Sequence, residues 1–231
     1  MRLTSAGLTA GLLVIAAAAP AARGDLATFD GLAEGFYTNV LTDGGITFSR
    51  PWDKIDPPDA GQIFAVDNAA DLPAAFPGVE AFISGNALNI NAYSDGGGLA
   101  VGRVGSFDMT PAGPRTEASI SVLALVHDPN AGIDFRQNSI GLEAYLNGQL
   151  VGSTSLVTAD GQWTTTRGAV YGGFTLSLSG PEFDMVRFVT DGPAEGGAGL
   201  LSVDNVAMNI PEPAAGAALG GLMLLAARRK R

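Results

Sequence analysis

The residues able to do chemistry in this chain are nearly all carboxylates. Its 231 residues include 23 Asp and Glu, one His and no Cys. His127, the only imidazole, stands in "LVHDPNAG" at the end of a strand-like run. A nucleophile–His–acid relay would have to be built on it. No Ser lies in a nucleophile-elbow pattern, and a His beside a turn-forming Asp-Pro reads as a strand-end surface residue. Zinc favours nitrogen and sulfur ligands, and apart from this His the chain offers only carboxylates. Two carboxylates suffice for glycoside hydrolysis, but nothing in the sequence singles out a pair. The chain therefore reads as non-enzymatic, with an extracellular carboxylate-dependent glycoside hydrolase as the alternative.

Calcium suits the composition better, because it takes carboxylate and carbonyl oxygens. In "LLSVDNVAMN", Asp204 and Asn205 fall in mid-strand, where both types are disfavoured. Either a bulge or solvent-facing strand end accommodates them, or they act as oxygen ligands. "TFDGLAEG" supplies Asp30 and Glu34 beside a turn. This pairing of an N-terminal acidic turn with a closing "DN" strand resembles jelly-roll carbohydrate-binding modules. The resemblance implies a structural Ca²⁺ held between Asp30, Glu34, Asp204 and Asn205. Asp53, Asp56 and Asp59 lack EF-hand spacing and read as solvated charge. Sugar binding would require aromatic rings stacked on pyranose faces. Trp163, Trp52 and Tyr93 are the candidates, with Tyr145 and Tyr171 behind them; the competing reading places such rings at the edge of the core.

The elements that must position these groups are strands. "GGFTLSLSG" sets Phe174, Leu176 and Leu178 on one face and Thr175, Ser177 and Ser179 on the other. In "NSIGLEAYLNGQLVGSTSLV" two alternating runs flank Asn147-Gly148, which suits the two positive φ values of a type I′ hairpin. About ten short strands separated by Gly, Pro, Asn and Asp predict an all-β, two-sheet β-sandwich, jelly-roll-like, with a closed barrel as the alternative. Pro51 to Gly78 reads as a long surface excursion with one short strand.

Both ends look like addressing segments. Residues 1–23 carry Arg2, an apolar run from Leu8 to Ala19, and the small-x-small signal Ala19-Pro20-Ala21, the pattern of a cleaved signal peptide. Residues 24–209 form the expected domain. It holds 22 of the 23 acids but only seven of the 13 Lys and Arg, a net charge near −15. Such a surface repels nucleic acid and anionic lipid. Residues 210–231 begin with Pro211, Glu212 and Pro213. They continue through the 14 uncharged residues Ala214 to Ala227 and end in Arg228, Arg229, Lys230 and Arg231. As a helix, those 14 residues span about 21 Å, short of a hydrocarbon core of about 30 Å. The bases would stay cytoplasmic under the positive-inside rule.

A Pro-Glu-Pro motif, a short hydrophobic helix and a basic end, in that order, resemble the PEP-CTERM sorting signal of Gram-negative bacteria. The resemblance implies export across the inner membrane, transient insertion of the C-terminal segment as a transmembrane helix, and recognition by an exosortase. It implies processing near Pro211-Glu212-Pro213 and a cell-surface or extracellular destination, with Arg228 to Arg231 as the stop signal. The expected role is that of a surface or matrix protein in exopolysaccharide or biofilm, with weak carbohydrate binding. A ligand-free structural surface protein is the further alternative.

Overall fold

A computed structural model describes residues 24–49, 64–70, 72–89, 92–94, 99–101, 106–130, 132–134, 136, 139–158, 161–191 and 201–209. The signal-peptide and sorting-tail expectations, including residues 211–213 and 228–231, lie outside the described residues, as does Trp52. Among those described, no helix is long and apolar enough to cross a membrane.

The chain opens with β1 (Asp25–Ala27), β2 (Gly35–Phe36), β3 (Val40–Asp43), β4 (Ile46–Ser49) and β5 (Ala65–Asn68). A one-turn helix α1 (Leu72–Ala75) and a 3₁₀ turn (Val79–Ala81) precede β6 (Asn86–Asn89), β7 (Ala92–Ser94), β8 (Leu99–Val101) and β9 (Phe107–Pro111). Then come β10 (Arg115–Asp128), β11 (Ile133–Asp134), β12 (Ser139–Leu146) and β13 (Gln149–Val157). The chain closes with β14 (Trp163–Thr164), β15 (Val170–Phe183), β16 (Met185–Asp191) and β17 (Leu201–Asn209).

Two antiparallel sheets pack face to face. The first runs β14-β15-β10-β17-β6-β5-β2, with β1 also on β17 and β11 on β10; the second runs β13-β12-β16-β9-β4-β3. From β9 onward the chain crosses repeatedly between sheets: β9 lies in the second, β10 in the first, β12 and β13 in the second, β15 in the first, β16 in the second and β17 in the first. That alternation is jelly-roll-like and leaves the sheets open at both sides, so the protein is a sandwich rather than a closed barrel.

The period-two runs deliver the core. Phe107, Met109, Leu142, Ala144, Val186 and Phe188 from the second sheet meet Ile120, Val122, Leu176, Leu178, Val203 and Val206 from the first. Phe29, Phe48, Phe107 and Phe188 form a chain of rings with successive centroids 5.2, 6.3 and 5.1 Å apart. Each fully buried Phe is worth about 1.5–3 kcal/mol relative to exposure. Asn147 and Gly148 hold φ of 50° and 76°, as the hairpin requires.

Within the Pro51 to Gly78 excursion, the described residues 64–70 and 72–78 depart from their expected place on the surface. Phe64 and Val66 enter the main core, and Ala69 and Phe76 join Val79, Ile83, Ala87 and Leu123 in a second cluster. Residues 69–85 thereby cap the outer face of the first sheet. Gly173 permits the docking: a Cβ there would lie 2.5 Å from the Phe82 ring.

Candidate functional site

Two regions gather polar side chains, and they answer different expectations. The first is the corner where β17 meets the N-terminal turn. Asp204 is 1% exposed. Its Oδ1 accepts the Asn205 N–H at 2.6 Å, and its Oδ2 accepts the Ser84 N–H at 3.0 Å and Asn205 Nδ2 at 3.1 Å. Asn205 has φ of 50°, and the β10–β17 register shifts between Ser119 and Ser121, so the "DN" pair builds a bulge in mid-strand. The bulge reading of this pair is the one the geometry shows; the Asp204 carboxylate oxygens accept N–H groups of Ser84 and Asn205.

Asp30 lies alongside, its Oδ1 accepting the Asn86 N–H at 2.9 Å. Glu34 is exposed. Asp43, which sequence reasoning missed, is the third carboxylate of the corner: its Oδ2 accepts the Thr28 and Phe29 N–H groups at 3.1 and 2.8 Å. Burial, aided by the negative charges of Asp30 and Asp43, pushes the Asp204 carboxyl up to about 6 against the backbone hydrogen bonds that lower it. The donor chemistry, all carboxylate, amide and carbonyl oxygen, suits a hard cation such as Ca²⁺. Among the described residues, however, no three His, Cys, Asp or Glu side chains converge tightly enough to form a ligand set.

The second region is the outer face of the second sheet. Cross-strand register sets Ser153, Glu143, Arg187, Asp108 and Ser49 in one outward row across β13, β12, β16, β9 and β4. Arg187 grips Asp108 with two bonds, Nε to Oδ1 at 2.6 Å and Nη2 to Oδ2 at 3.0 Å. The pair holds the guanidinium still more firmly protonated. The guanidinium also sits 5.4 Å from the centre of the Tyr145 ring, whose hydroxyl donates to Glu143 Oε2 at 2.5 Å and is raised above the usual phenol range by that bond. The next row carries Tyr145, Met185, Thr47 and Thr42. Arg187 Nη1 and Glu143 Oε1 take no partner among the described residues, so a fixed frame presents one spare donor group and one spare acceptor.

Among the described residues, only Tyr145 of the sequence-predicted aromatics joins this region. Trp163 packs in the cap, 5.9 Å from Phe76 and 6.1 Å from Phe82, with Nε1 donating to the Pro77 carbonyl at 2.9 Å. Tyr171 lies 4.9 Å from Phe76 in the same cluster. The strand bearing Tyr93 pairs with β8, while its side chain lies outside the described residues. His127 ends β10 opposite Asp134, and its Nδ1 is buried without a hydrogen bond.

No protein-family model matches the sequence, and no curated protein matches it. Solved structures show likeness at low identity. The K2 cleaved adhesin domain of Lys-gingipain is similar over 80% of this chain and 97% of its own, with 11% identity and a TM-score of 0.45. The carbohydrate-binding module TmCBM27, which recognises mannan, is similar over 83% of this chain and 100% of its own, with 11% identity and a TM-score of 0.39. An α-L-arabinofuranosidase, MgGH51, is similar over 81% of this chain but 25% of its own, with 14% identity and a TM-score of 0.36.

Proposed function

We propose that this chain is an exported, non-enzymatic surface or matrix protein whose open sheet face binds neutral polysaccharide weakly. One observation carries the reading. Residues 69–85 cover the outer face of the first sheet around Leu123 and Gly173, while the second sheet leaves its Glu143–Arg187–Asp108 row and Tyr145 on its outward side. Sugar hydroxyls donate and accept at once, so a rigid frame with a spare donor and a spare acceptor suits them. The carboxylates outnumber the guanidinium in this row, which favours a neutral glycan over a uronic acid. Trp163, Trp52 and Tyr93 remain secondary candidates for ring stacking.

Export and sorting rest on the sequence. The signal-peptide pattern and the Pro-Glu-Pro tail support delivery to the surface through an exosortase. At the expected Ca²⁺ ligands Asp30, Glu34, Asp204 and Asn205, no three carboxylates converge among the described residues, so the binding claim does not rest on a cation. The test is retention on immobilised polysaccharides with and without a chelator. Retention by at least one neutral polysaccharide is expected, and passage through all of them overturns the binding claim.

A further inference from the structure

The open sides of the sandwich differ in charge. One is bounded by β2 and β3; Glu34 directly precedes β2, Asp43 ends β3 and Asp67 lies in β5 beside β2. The other is bounded by β13 and β15. β13 contains no charged residue and β15 only one, Glu182 near its C-terminal end, in a domain whose net charge is near −15.

Both of these strands have an unpaired edge among the described residues. β13 pairs with β12 alone. β15 pairs with β10 along its length, but on its other edge β14 reaches only Val170 and Tyr171. A groove of about 290 Å³ separates the two edges, lined in part by Val151, Gly152, Thr154, Ser177 and Pro181. Natural edge strands are blunted by charge, proline, bulges or brevity. β13 has nine residues, no charge and no proline. Its one protection is the bulge opposite Ala144 and Tyr145, which leaves 152–157 in unbroken register. On this stretch Ser153, Ser155 and Val157 are exposed, Val157 by 56%.

We propose that the chain self-associates by antiparallel pairing of β13 with the β13 of a second copy about a two-fold axis, extending the six-stranded sheet across the interface. A second copy fits this edge for two reasons. A two-fold contact needs only one self-complementary patch. Two strongly acidic domains repel, and this side lets their backbones meet without opposing carboxylates, as the β2–β3 side does not. The interface adjoins the glycan-binding row at Ser153, but the pairing uses the backbone edge of β13 and does not rest on glycan binding.

The absence of cysteine supplies the test. In a two-fold antiparallel pair, a residue at the axis faces its own mate with Cα atoms about 4.5–5.5 Å apart, within disulfide reach. Each residue further along adds about 7 Å of offset along the strand, which puts the next mates about 8–9 Å apart, beyond easy disulfide reach. Single variants Ser153→Cys, Thr154→Cys, Ser155→Cys and Leu156→Cys of the full chain, with Thr38→Cys on the opposite side as control, are oxidised mildly and run on non-reducing gels. The expected result is a covalent dimer concentrated at one or two adjacent positions, at least several-fold above Thr38→Cys. Equal yields at every position, Thr38 included, indicate random collision and overturn the proposal, as does the absence of dimer. A cross-link to a different protein overturns it in favour of a heterologous strand. In the cysteine-free chain, Ser153→Lys with Ser155→Lys is expected to weaken dimerisation at least tenfold by sedimentation, and unchanged dimerisation overturns the pairing mode.

Discussion

The replacement Asp204→Asn probes the corner most cleanly, because it removes a charge while keeping the side-chain shape. The Asp204 carboxyl rises from 3.8 to about 6 in the folded protein. A raised carboxylate binds its proton more tightly folded than unfolded. Its ionisation therefore costs stability, which declines as pH rises from about 4 to above 6 and stays level outside that window. About two pK units at 1.36 kcal/mol each give an upper bound of about 3 kcal/mol, and partial solvent screening reduces it to about 2. The amide also loses an acceptor for one of the N–H groups of Ser84 and Asn205, at about 1–3 kcal/mol, but that cost does not vary with pH. The observable is thus the difference in unfolding free energy between wild type and variant, measured by urea titration in EDTA at about pH 4 and about pH 7.5. It should shift by about 1.5–2.5 kcal/mol in favour of the variant at the higher pH, or roughly 3–10 °C in melting temperature for a domain of this size. A difference that stays constant within about 0.5 kcal/mol refutes the electrostatic reading of the corner. Millimolar Ca²⁺ at the higher pH should move wild type and Asp204→Asn alike, since no three carboxylates converge at the corner among the described residues; a response confined to wild type would put a cation there.

Other outcomes are expected elsewhere. Gly173→Ala forces a methyl to within 2.5 Å of the Phe82 ring, so the cap should loosen at a cost of about 1–3 kcal/mol; an unchanged urea midpoint contradicts the close approach. Arg115→Ala leaves Asp25 without the guanidinium that meets it at 2.5 Å in a largely buried setting, which should cost about 3 kcal/mol and speed amide exchange in 25–27. Exchange there at the wild-type rate would show that β1 holds without this clamp. The intact mass of protein recovered from the cell surface should lack residues 214–231, and a mass that retains them refutes sorting by cleavage.

The sandwich was legible because its strands alternate cleanly and because Asn147-Gly148 accepts a turn that few other pairs accept. The length of the strands was not. β10 and β15 each run 14 residues, but Gly172-Gly173 and Gly180-Pro181 read as breaks rather than as positions inside one long strand. The cap over the first sheet was hidden too. Phe76, Val79 and Ile83 show no period of their own, and their burial depends on Gly173, some 90 positions away, leaving room for Phe82. In the corner, Asp204 announced itself as an acid in mid-strand, whereas Asp43, followed by Gly44-Gly45, stands in no pattern that sets it apart from the other acids. The Asp108–Arg187 pair joins residues 79 apart and exists only because β9 and β16 pair in that register, which no local pattern encodes.

The claim that the open sheet face binds polysaccharide is tested most directly by affinity electrophoresis of wild type, Tyr145→Ala and Thr175→Ala in gels containing a retarding neutral polysaccharide. Thr175 lies exposed on the first sheet, away from the row. The account predicts that wild type and Thr175→Ala are retarded alike, while Tyr145→Ala binds about tenfold more weakly, the equivalent of about 1.4 kcal/mol. Retardation of all three to the same degree would place binding elsewhere on the molecule and contradict the assignment of this face.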